Sequence, residues 1–255
     1  MKISFIIPLH NEEKNCRPMI EKVVIYAEKK RLNIEVIPVD DRSSDGTKKI
    51  LMELAKTYKN VHPIFRKKDH EEKGNTMGKA LVEGTKKAGG EFVIWTMGDL
   101  ADDTDTYGKI VEKLQKGYDL VFGSRYMPGG SRGNLDPLKA FLSSWGTLLA
   151  RLLFRIPVHD ITNAFRGFQK KMFQQLNLTS SGFSISPEFA IKAYLSGFKL
   201  GEVPTVYTNR VEGISSFKLY NMMKNYLKLY LDLFVKYRLF RQPLDFLIDK
   251  KSLTF

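Results

Sequence analysis

The sequence predicts an α/β domain with a mostly parallel sheet flanked by helices, followed by a C-terminal amphipathic helical segment. Short apolar, β-branched runs alternate with helix-like stretches, and the run at residues 92–96 leads directly into a group of carboxylates. Alternating βαβ units give parallel sheets, because right-handed crossovers return each strand in the same direction. Ligands of such sheets bind beyond the carboxyl ends of the strands. The pattern therefore predicts a fold and also the edge of the sheet at which a site lies.

Apolar periodicity and capping residues define the elements in chain order. Strands are predicted at residues 3–8, 34–39, 61–65, 92–96, 120–123, 165–169 and 200–207. Helices are predicted near residues 18–31, 45–58, 76–88, 105–116, 138–154 and 187–195. The first four of these helices begin close to a polar cap or a proline, as helices in globular proteins commonly do.

The C-terminal segment shows a helical repeat of apolar residues. Spacings of four and three alternate at Leu219, Met223, Tyr226, Tyr230, Leu233, Tyr237 and Phe240, which we name the C-terminal stripe. Two interpretations of this amphipathic pattern stay open: packing on the protein's own core, or lying on a bilayer with aromatic residues and lysines at the interface. Charged residues such as Lys224 and Lys228 interrupt the best candidate for a membrane-spanning run, so we expect none.

The chain carries a net charge of +13, from 41 basic and 28 acidic residues, and the excess lies mainly after Gly123. Such a field favours a polyanion, namely a nucleotide, an anionic lipid headgroup, a membrane surface or a nucleic acid; the alternative is charge for solubility. The sequence has no finger spacing, aromatic ribonucleoprotein motif or helix-turn-helix pattern, so nucleic acid is not expected. Cys16 is the only cysteine, which excludes an internal disulfide and favours a reducing, cytosolic compartment.

Three carboxylates, Asp99, Asp102 and Asp103, follow the predicted strand at residues 92–96. Oxygen ligands at this edge suit a hard cation that carries a substrate's phosphates. The alternative is a solvated turn that caps the helix predicted at 105–116, since Asp102, Asp103 and Thr104 precede it. A second acidic turn, VDDRSSDGT at residues 39–47, follows another strand, and Asp40 and Asp41 are its candidates for contact with a ligand.

Further motifs carry a resemblance to a known family. They are PLHNEE (8–13), EEKGNTMGKAL (71–81), GDLADD (98–103), GSRYMPGGS (123–131), DITNAFRGF (160–168) and EVPTVYTNRVEGISSFK (202–218). Together with VDDRSSDGT, they resemble family 2 glycosyltransferases of the Rossmann-like GT-A fold, and most of all dolichyl-phosphate mannose synthases and related polyprenyl-phosphate glycosyltransferases. The resemblance implies a catalytic domain at residues 1–218, with residues 219–255 forming membrane-proximal or packing helices.

The resemblance implies a function as well as a fold. A hexose would move from a nucleotide sugar, GDP-mannose or a UDP-sugar, to a polyprenyl (dolichyl) phosphate with inversion at the anomeric carbon. The enzyme would work as a peripheral protein at the cytoplasmic face of a membrane, with no nucleic acid as partner.

The resemblance also implies roles for individual residues. The nucleotide sugar would be held by Pro8, His10, Glu12, Val39, Asp41, Gly98 and Asp99, with His10 standing where the family usually has tyrosine. Catalysis would depend on Asp99, Arg125 and Arg210. Phosphates of the donor or acceptor would be bound by Arg125, Arg132, Arg166, Arg210 and Lys218. Ser216 stands where the family has lysine, and Lys218 would substitute for it.

A divalent metal, Mg²⁺ or Mn²⁺, is the cofactor that the resemblance implies. Met97 replaces the first aspartate of the usual Asp-x-Asp motif, so metal binding would depend on Asp99, helped by Asp102 or Asp103.

Elementary chemistry bears on the acceptor. A phosphate monoester is already an anion near neutral pH and attacks without a general base, whereas a hydroxyl acceptor needs a carboxylate to remove its proton. Two alternatives therefore stay open beside the lipid phosphate. One is transfer to a soluble or glycan hydroxyl with Asp102, Asp103 or another acid of the pocket as base, and the other is a non-catalytic nucleotide-sugar binding protein.

Overall fold

A computed structural model describes residues 1–67, 75–208 and 219–240 of the protein. Within these ranges the strands are β1 (Ile3–Leu9), β2 (Ile34–Asp40), β3 (Ile64–Phe65), β4 (Phe92–Trp95), β5 (Leu120–Ser124), β6 (Arg166–Gln169) and β7 (Leu200–Pro204). The helices are α1 (Cys16–Lys29), α2 (Thr47–Thr57), α3 (Met77–Lys87), α4 (Asp105–Gln115), α5 (Pro137–Phe154), α6 (Lys170–Phe173), α7 (Ile185–Leu195) and α8 (Leu219–Phe234). A π-helical turn, Val235–Leu239, continues α8.

The strands form one mixed sheet in the order β3-β2-β1-β4-β6-β5-β7. β6 runs antiparallel to both of its neighbours, β4 and β5, and the other neighbouring pairs are parallel. The predicted α/β class with a mostly parallel sheet is therefore confirmed. Because β6 is reversed, the residues that enter it lie at the same edge as the residues that leave β4 and β5.

Two strands are shorter than predicted by more than one residue. The strand expected at 61–65 narrows to β3, because Pro63 has no N–H to donate to a ladder. Val61 forms only an isolated bridge with Val36 before it. The strand expected at 200–207 ends at Pro204, and Val206 forms a separate bridge with Ser131.

Helices cover both faces of the sheet, so the buried strands supply side chains to two apolar cores. On β1, Ile6 packs in one core, while Phe5 and Ile7 pack in the other. This alternation follows from the two-residue period of a strand. The first core includes residues of α3, α5, α7 and α8, and the second includes residues of α1, α2 and α4.

The C-terminal stripe contributes to the first core through Tyr230 and Leu233, and Tyr237 packs against that core. Tyr226, Tyr230 and Leu233 are buried against α5, and the Tyr230 hydroxyl donates to the Gly146 carbonyl oxygen at 3.0 Å. Of the two interpretations of the stripe, packing on the protein's own core is therefore correct for these residues. Phe240 at its end is exposed.

In the part of the chain that the structure covers, no helix combines the length and apolarity needed to cross a membrane. The boundary predicted at residue 218 lies outside the described residues.

The burial of one face of α8 predicts a large loss of stability for one substitution and almost none for the substitution next to it. Tyr230→Ala is expected to lower the free energy of unfolding by about 3–5 kcal/mol, because it removes a buried ring and leaves a cavity. Leu231→Ala, at an exposed position of the same turn, is expected to change it by less than about 0.5 kcal/mol. Denaturant unfolding of both variants measures the difference. An equally small loss for Tyr230→Ala would show that this face of α8 is not part of the core.

Candidate functional site

The loops that follow β1, β2 and β4 converge at the carboxyl edge of the sheet. Each of them holds a non-glycine residue in the left-handed backbone region: Asn11 (φ 54°), Arg42 (φ 64°) and Leu100 (φ 65°). This conformation is unfavourable for residues with a Cβ, so neighbouring contacts must maintain it. Backbone strain of this kind clusters at ligand sites. The carboxyl edge predicted from the sequence therefore shows the backbone strain that is typical of a ligand site.

Hydrogen bonds join the first two of these loops and bring predicted nucleoside-binding residues together. His10 Nδ1 donates to the carbonyl oxygen of Asp41 at 2.7 Å. The backbone N–H of the buried Glu12 donates to Thr47 Oγ1, at the start of α2, at 2.9 Å. Pro8 lies two residues before His10 near the end of β1. The structure thus gathers four of the predicted residues, Pro8, His10, Glu12 and Asp41, at one edge.

The Asp41 carboxylate is buried and already has three donors. Arg66 Nη1 donates to Oδ1 at 2.6 Å and Arg42 Nε to the same oxygen at 3.0 Å, while the Thr76 hydroxyl donates to Oδ2 at 2.5 Å. Arg66 and Thr76 were not singled out in the sequence. Their positions in the sequence could have indicated a role at this edge, because Arg66 directly follows β3 and Thr76 immediately precedes α3.

Val39 lies in the apolar core, unlike the other residues predicted to hold the nucleoside. Its side chain is fully buried in the first core, where the absence of a side chain at Gly84 lets α3 approach β2 closely. A Cβ on Gly84 would lie 2.8 Å from Val39 Cγ2. Any contact between Val39 and a nucleoside would therefore use its backbone.

Asp99 sits in a tight turn after β4. Its Oδ1 accepts from the backbone N–H of Ala101 at 3.2 Å, and the side chain is partly exposed. Gly98 before it lies against β1, where an added Cβ would come within 2.4 Å of Leu9 Cδ2. A Cβ at this position would require Leu9 to move, and the left-handed Leu100 completes the turn. The turn that carries Asp99 therefore packs on the end of β1.

Asp102 stabilises this turn by accepting hydrogen bonds from the two residues that precede Gly98. Its Oδ2 accepts from the Thr96 hydroxyl at 2.9 Å and from the Met97 N–H at 2.8 Å, and the side chain is buried. Burial, with a smaller contribution from the charge of Asp99, raises the pKa of Asp102 to about 7. These contacts make Asp102 a brace for the turn, and they do not place it as the metal ligand that the sequence analysis expected.

Asp103 caps α4, which is the alternative that the sequence left open. Its Oδ1 accepts from the Asp105 N–H at 3.0 Å, and its Oδ2 accepts from the Thr106 hydroxyl at 3.1 Å. Acids at a helix N-terminus satisfy unpaired N–H groups in this way.

The carboxylates of this edge offer limited coordination to a metal. Among the described residues, no three His, Cys, Asp or Glu side chains are grouped so that they could hold a cation. Mg²⁺ commonly binds through one or two carboxylates, with waters and substrate phosphates completing its octahedron. Of Asp99, Asp102 and Asp103, the partly exposed Asp99 fits such a role, so a cation here would depend on the phosphates of the donor.

Arg125, directly after β5, forms a bidentate ion pair with Asp160. Its Nε and Nη2 donate to the two carboxylate oxygens at 2.7 and 3.0 Å, and its backbone N–H donates at 3.2 Å. Asp160 is fully buried, and its charge raises the pKa of Arg125 above the usual value for arginine. Nη1 makes no hydrogen bond to any residue that the structure describes. The pair therefore fixes the guanidinium and leaves one donor group for a ligand.

Arg166 is buried inside the protein, away from solvent phosphates. Its guanidinium donates to backbone carbonyl oxygens of four residues, namely Ala164, Ser186, Ile161 and Asn163. The ring of Phe122 lies 4.9 Å from its Cζ, and burial lowers the pKa of Arg166 to about 9. The predicted phosphate contact is not supported by this placement. Arg166 instead holds the loop at residues 161–164, immediately after Asp160.

The remaining predicted cations lie elsewhere along the edge. Arg132 is exposed in the loop between β5 and α5, and its carbonyl oxygen accepts from the Leu135 N–H at 3.0 Å. Arg210 and Lys218 fall outside the described residues, as does Ser216.

A second buried ion pair supports the start of α3. Glu188 and Lys192 lie 2.5 Å apart, and the Glu188 carboxylate also accepts from the backbone N–H groups of Thr179 and Ser180. The loop that it holds touches α3 through the Lys79 N–H, which donates to the Ser181 carbonyl oxygen at 3.0 Å. The pair therefore stabilises the end of α3 that carries Thr76, the donor to Asp41.

Comparison with known proteins places the chain in a family. Residues 4–176 match the profile described as Glycosyl transferase family 2. Dolichol-phosphate mannosyltransferase of Pyrococcus furiosus is 31% identical over 221 residues, which are 86% of this chain and 60% of that protein. Polyprenol monophosphomannose synthase of Mycolicibacterium smegmatis is 28% identical over 217 residues, which are 82% of this chain and 78% of that protein. The chain thus spans less than two thirds of the length of the Pyrococcus relative.

Solved structures show the same fold at lower identity. Glucosyl-3-phosphoglycerate synthase from Mycobacterium tuberculosis, solved with Mn²⁺, UDP and phosphoglyceric acid, superposes with a TM-score of 0.68 at 17% identity, covering 91% of this chain and 78% of that one. Residues 1–349 of TarS from S. aureus superpose with a TM-score of 0.57 at 18% identity, covering 93% and 72%. These matches confirm the predicted GT-A fold.

The raised pKa of Asp102 predicts an unusual pH dependence of stability. Its folded pKa of about 7 exceeds the unfolded value of about 4, so the folded state holds a proton that the unfolded state releases between these values. The contribution of Asp102 to the free energy of unfolding is therefore full below pH 4 and falls as pH rises to about 7.

Asp102→Asn keeps an oxygen acceptor for Thr96 and Met97 and removes the titration. At pH 8 we expect the variant to be more stable than the native protein by roughly 1–3 kcal/mol, with the difference vanishing near pH 4. Denaturant unfolding across this range measures it. A constant difference at all pH values would contradict the raised pKa.

Proposed function

The chain belongs to glycosyl transferase family 2, and on that premise we propose that it transfers a hexose from a nucleotide sugar to the phosphate of a polyprenyl phosphate. The two curated relatives, named for dolichol-phosphate and polyprenol monophosphate mannose transfer, support this acceptor. GDP-mannose and UDP-sugars are the donors that we consider. The reaction would invert the anomeric carbon and take place at the cytoplasmic face of a membrane.

The observation that carries the proposal is the Arg125–Asp160 pair at the carboxyl edge. A guanidinium oriented by a buried carboxylate is rigid before a ligand arrives, so little order is lost when a phosphate binds. Its remaining Nη1 donor group suits a phosphate oxygen. The partly exposed Asp99 shares this edge, beside the nucleoside loops.

The placement of the other acids favours a phosphate acceptor over a hydroxyl. Both carboxylate oxygens of Asp103 accept hydrogen bonds at the start of α4. Asp102 is buried and accepts hydrogen bonds from Thr96 and Met97. Asp102 has a pKa suited to a general base, but its bound oxygen faces the interior of the turn. A phosphate acceptor needs neither of them, because its oxygen is already anionic near neutral pH.

The proposed reaction is a single displacement. An acceptor phosphate oxygen attacks the anomeric carbon on the face opposite the nucleoside diphosphate. The bond from that carbon to the diphosphate oxygen breaks, and its electron pair stays on the departing diphosphate. Arg125 would hold phosphate oxygen in position, and the loops carrying His10, Glu12 and Asp41 would orient the nucleoside. A divalent cation held by Asp99 would neutralise charge on the diphosphate.

A transfer assay tests the proposal. Purified protein is incubated with radiolabelled GDP-mannose, UDP-glucose and UDP-galactose in turn, with Mg²⁺ or Mn²⁺ and detergent-solubilised dolichyl or undecaprenyl phosphate. We expect sugar to appear in the organic extract with one of these donors. Asp99→Ala should lower the rate at least on the order of a hundredfold, because it removes the carboxylate beside the diphosphate. Glu112→Ala, which removes an exposed carboxylate near the other end of α4, is the matched control and should keep the native rate.

Other outcomes would overturn the proposal in distinct ways. Transfer to a soluble sugar without transfer to lipid phosphate would establish the hydroxyl-acceptor alternative. Donor binding by folded protein without transfer to any acceptor would establish a nucleotide-sugar binding protein.

A further inference from the structure

We propose that Thr76 is a positioning residue for the nucleotide, and that the buried Glu188 fixes Thr76 through the loop at residues 179–182, which we name the capping loop. The proposal rests on the nucleotide-sugar function proposed above and deepens it, because neither residue is among those to which the family resemblance gives a role. It concerns the orientation of Asp41, one of the residues expected to hold the nucleoside.

Thr76 stands at the N-cap position of α3, but its side chain caps no N–H group of the helix. A threonine at this position normally accepts from a backbone N–H two or three residues further on, which here belongs to Gly78 or Lys79. The Thr76 hydroxyl is instead directed at the site, where it donates to Asp41 Oδ2 at 2.5 Å and accepts from Arg42 Nη2. A capping role within the helix is therefore exchanged for a contact with Asp41.

A distant part of the chain supplies the missing cap. The Lys79 N–H, the third of α3, donates to the carbonyl oxygen of Ser181 in the capping loop at 3.0 Å. The first N–H groups of a helix have no partner inside it and need an acceptor from elsewhere. Because the Ser181 carbonyl oxygen satisfies this group, the Thr76 hydroxyl is released for Asp41.

The capping loop lies directly against the first turn of α3. A Cβ added at Gly78 would lie 2.7, 2.8 and 2.8 Å from the carbonyl oxygens of Ser180, Gly182 and Ser181. Backbone atoms on both sides make this contact, so neither segment can shift without moving the other. The position of the capping loop therefore fixes the start of α3, which carries Thr76.

Glu188 holds the capping loop in place. Its fully buried carboxylate accepts from the backbone N–H groups of Thr179 and Ser180 at 2.9 and 2.8 Å, and from the Thr179 hydroxyl at 2.9 Å. The ammonium of the buried Lys192 lies 2.5 Å from the same carboxylate and balances its charge. Loss of the Glu188 charge would leave buried donors without a full partner, so the loop depends on this residue.

The Thr76 hydroxyl orients two charged groups of the site at once. A hydroxyl has one hydrogen to donate and lone pairs to accept with, so it can bridge the Asp41 carboxylate and the Arg42 guanidinium. Asp41 and Thr76 are buried, whereas 22% of the Arg42 side chain is exposed. A nucleotide at this edge would therefore meet Arg42 in an orientation that Thr76 fixes.

This arrangement predicts an effect on nucleotide affinity and not on the displacement itself. Thr76 is buried and acts through Asp41 and Arg42 at the nucleoside end of the donor, whereas the bond that breaks lies at the diphosphate. A contact that is equally strong in the ground state and the transition state changes KM and leaves kcat unchanged. Loss of the Thr76 hydroxyl is therefore expected to raise KM for the donor.

Nucleotide binding by variants at Thr76 tests the first half of the proposal. Binding of GDP and of UDP in the presence of Mg²⁺ is measured calorimetrically with the full native chain, and the nucleotide that binds more tightly is the probe. Thr76→Val keeps the shape of the side chain and removes its hydroxyl, so it should weaken binding about tenfold. Thr76→Ser keeps the hydroxyl and should bind within about twofold of the native protein. In the transfer assay, Thr76→Val should raise KM for the donor about tenfold and leave kcat within about twofold.

A second set of variants tests the connection from Glu188. Glu188→Gln should weaken nucleotide binding about threefold to tenfold, and the double variant with Thr76→Val should bind no more weakly than Thr76→Val alone, because both changes act on one hydroxyl. Gly78→Ala displaces the capping loop with the ion pair intact, so it gives the answer if Glu188→Gln does not fold. It should weaken binding although alanine favours a helix. Ser181→Ala keeps the carbonyl oxygen and is the matched control, with native affinity expected. Denaturant unfolding shows that each variant is folded.

Several results would overturn the proposal. Native affinity in Thr76→Val, or equal losses in Thr76→Val and Thr76→Ser, would show that binding does not depend on the hydroxyl. Additive losses in the double variant, or native affinity in Gly78→Ala, would show that the capping loop does not act through Thr76. A fall in kcat with an unchanged KM would contradict a positioning role. Absence of nucleotide binding by the folded native protein would overturn the proposed function together with this proposal, whereas a native protein that binds as its variants do refutes only the role of Thr76.

Discussion

The candidate site depends on a buried ion pair that the sheet topology makes possible. β6 runs antiparallel between β4 and β5, so the loop that enters it reaches the same edge as the end of β5. That loop follows Asp160, and the end of β5 precedes Arg125. A fully parallel sheet would place the start of this strand at the opposite edge. The reversed strand therefore brings together two residues 35 positions apart in the sequence.

A buried ion pair of this kind fixes the orientation of its side chains more than it stabilises the fold. Desolvation offsets much of the attraction between the charges, yet removal of one partner leaves the other uncompensated and costs about 3–5 kcal/mol. Arg166 adds a second constraint, because its bonds to the carbonyl oxygens of Ile161, Asn163 and Ala164 fix the loop that follows Asp160. The guanidinium of Arg125 is thus oriented through two successive layers of buried contacts. Such preorganisation is what a phosphate-binding position requires.

Sequence reasoning predicted the sheet edge because apolar runs and the polar residues after them are local signals. It placed Asp99 at that edge, and it offered capping as one of two roles for Asp103, which the structure selects. It assigned Arg166 to phosphate, although its environment is set by residues from several distant elements. Asp160 lies within the motif at residues 160–168, but the sequence indicates no role for it, because its partner lies far away in the chain. The C-terminal stripe showed the right helical period, but periodicity alone does not distinguish a core from a membrane surface.

A double-mutant cycle tests most directly whether Asp160 acts through Arg125. Binding of a short, water-soluble prenyl phosphate is measured calorimetrically for the native protein, Arg125→Lys, Asp160→Asn and the double variant, each shown to be folded by denaturant unfolding. If Asp160 serves to orient the guanidinium, each single change weakens binding on the order of tenfold, and the double variant binds no more weakly than Arg125→Lys. Losses that simply add would contradict the account, because they would show two residues that contribute to phosphate binding independently.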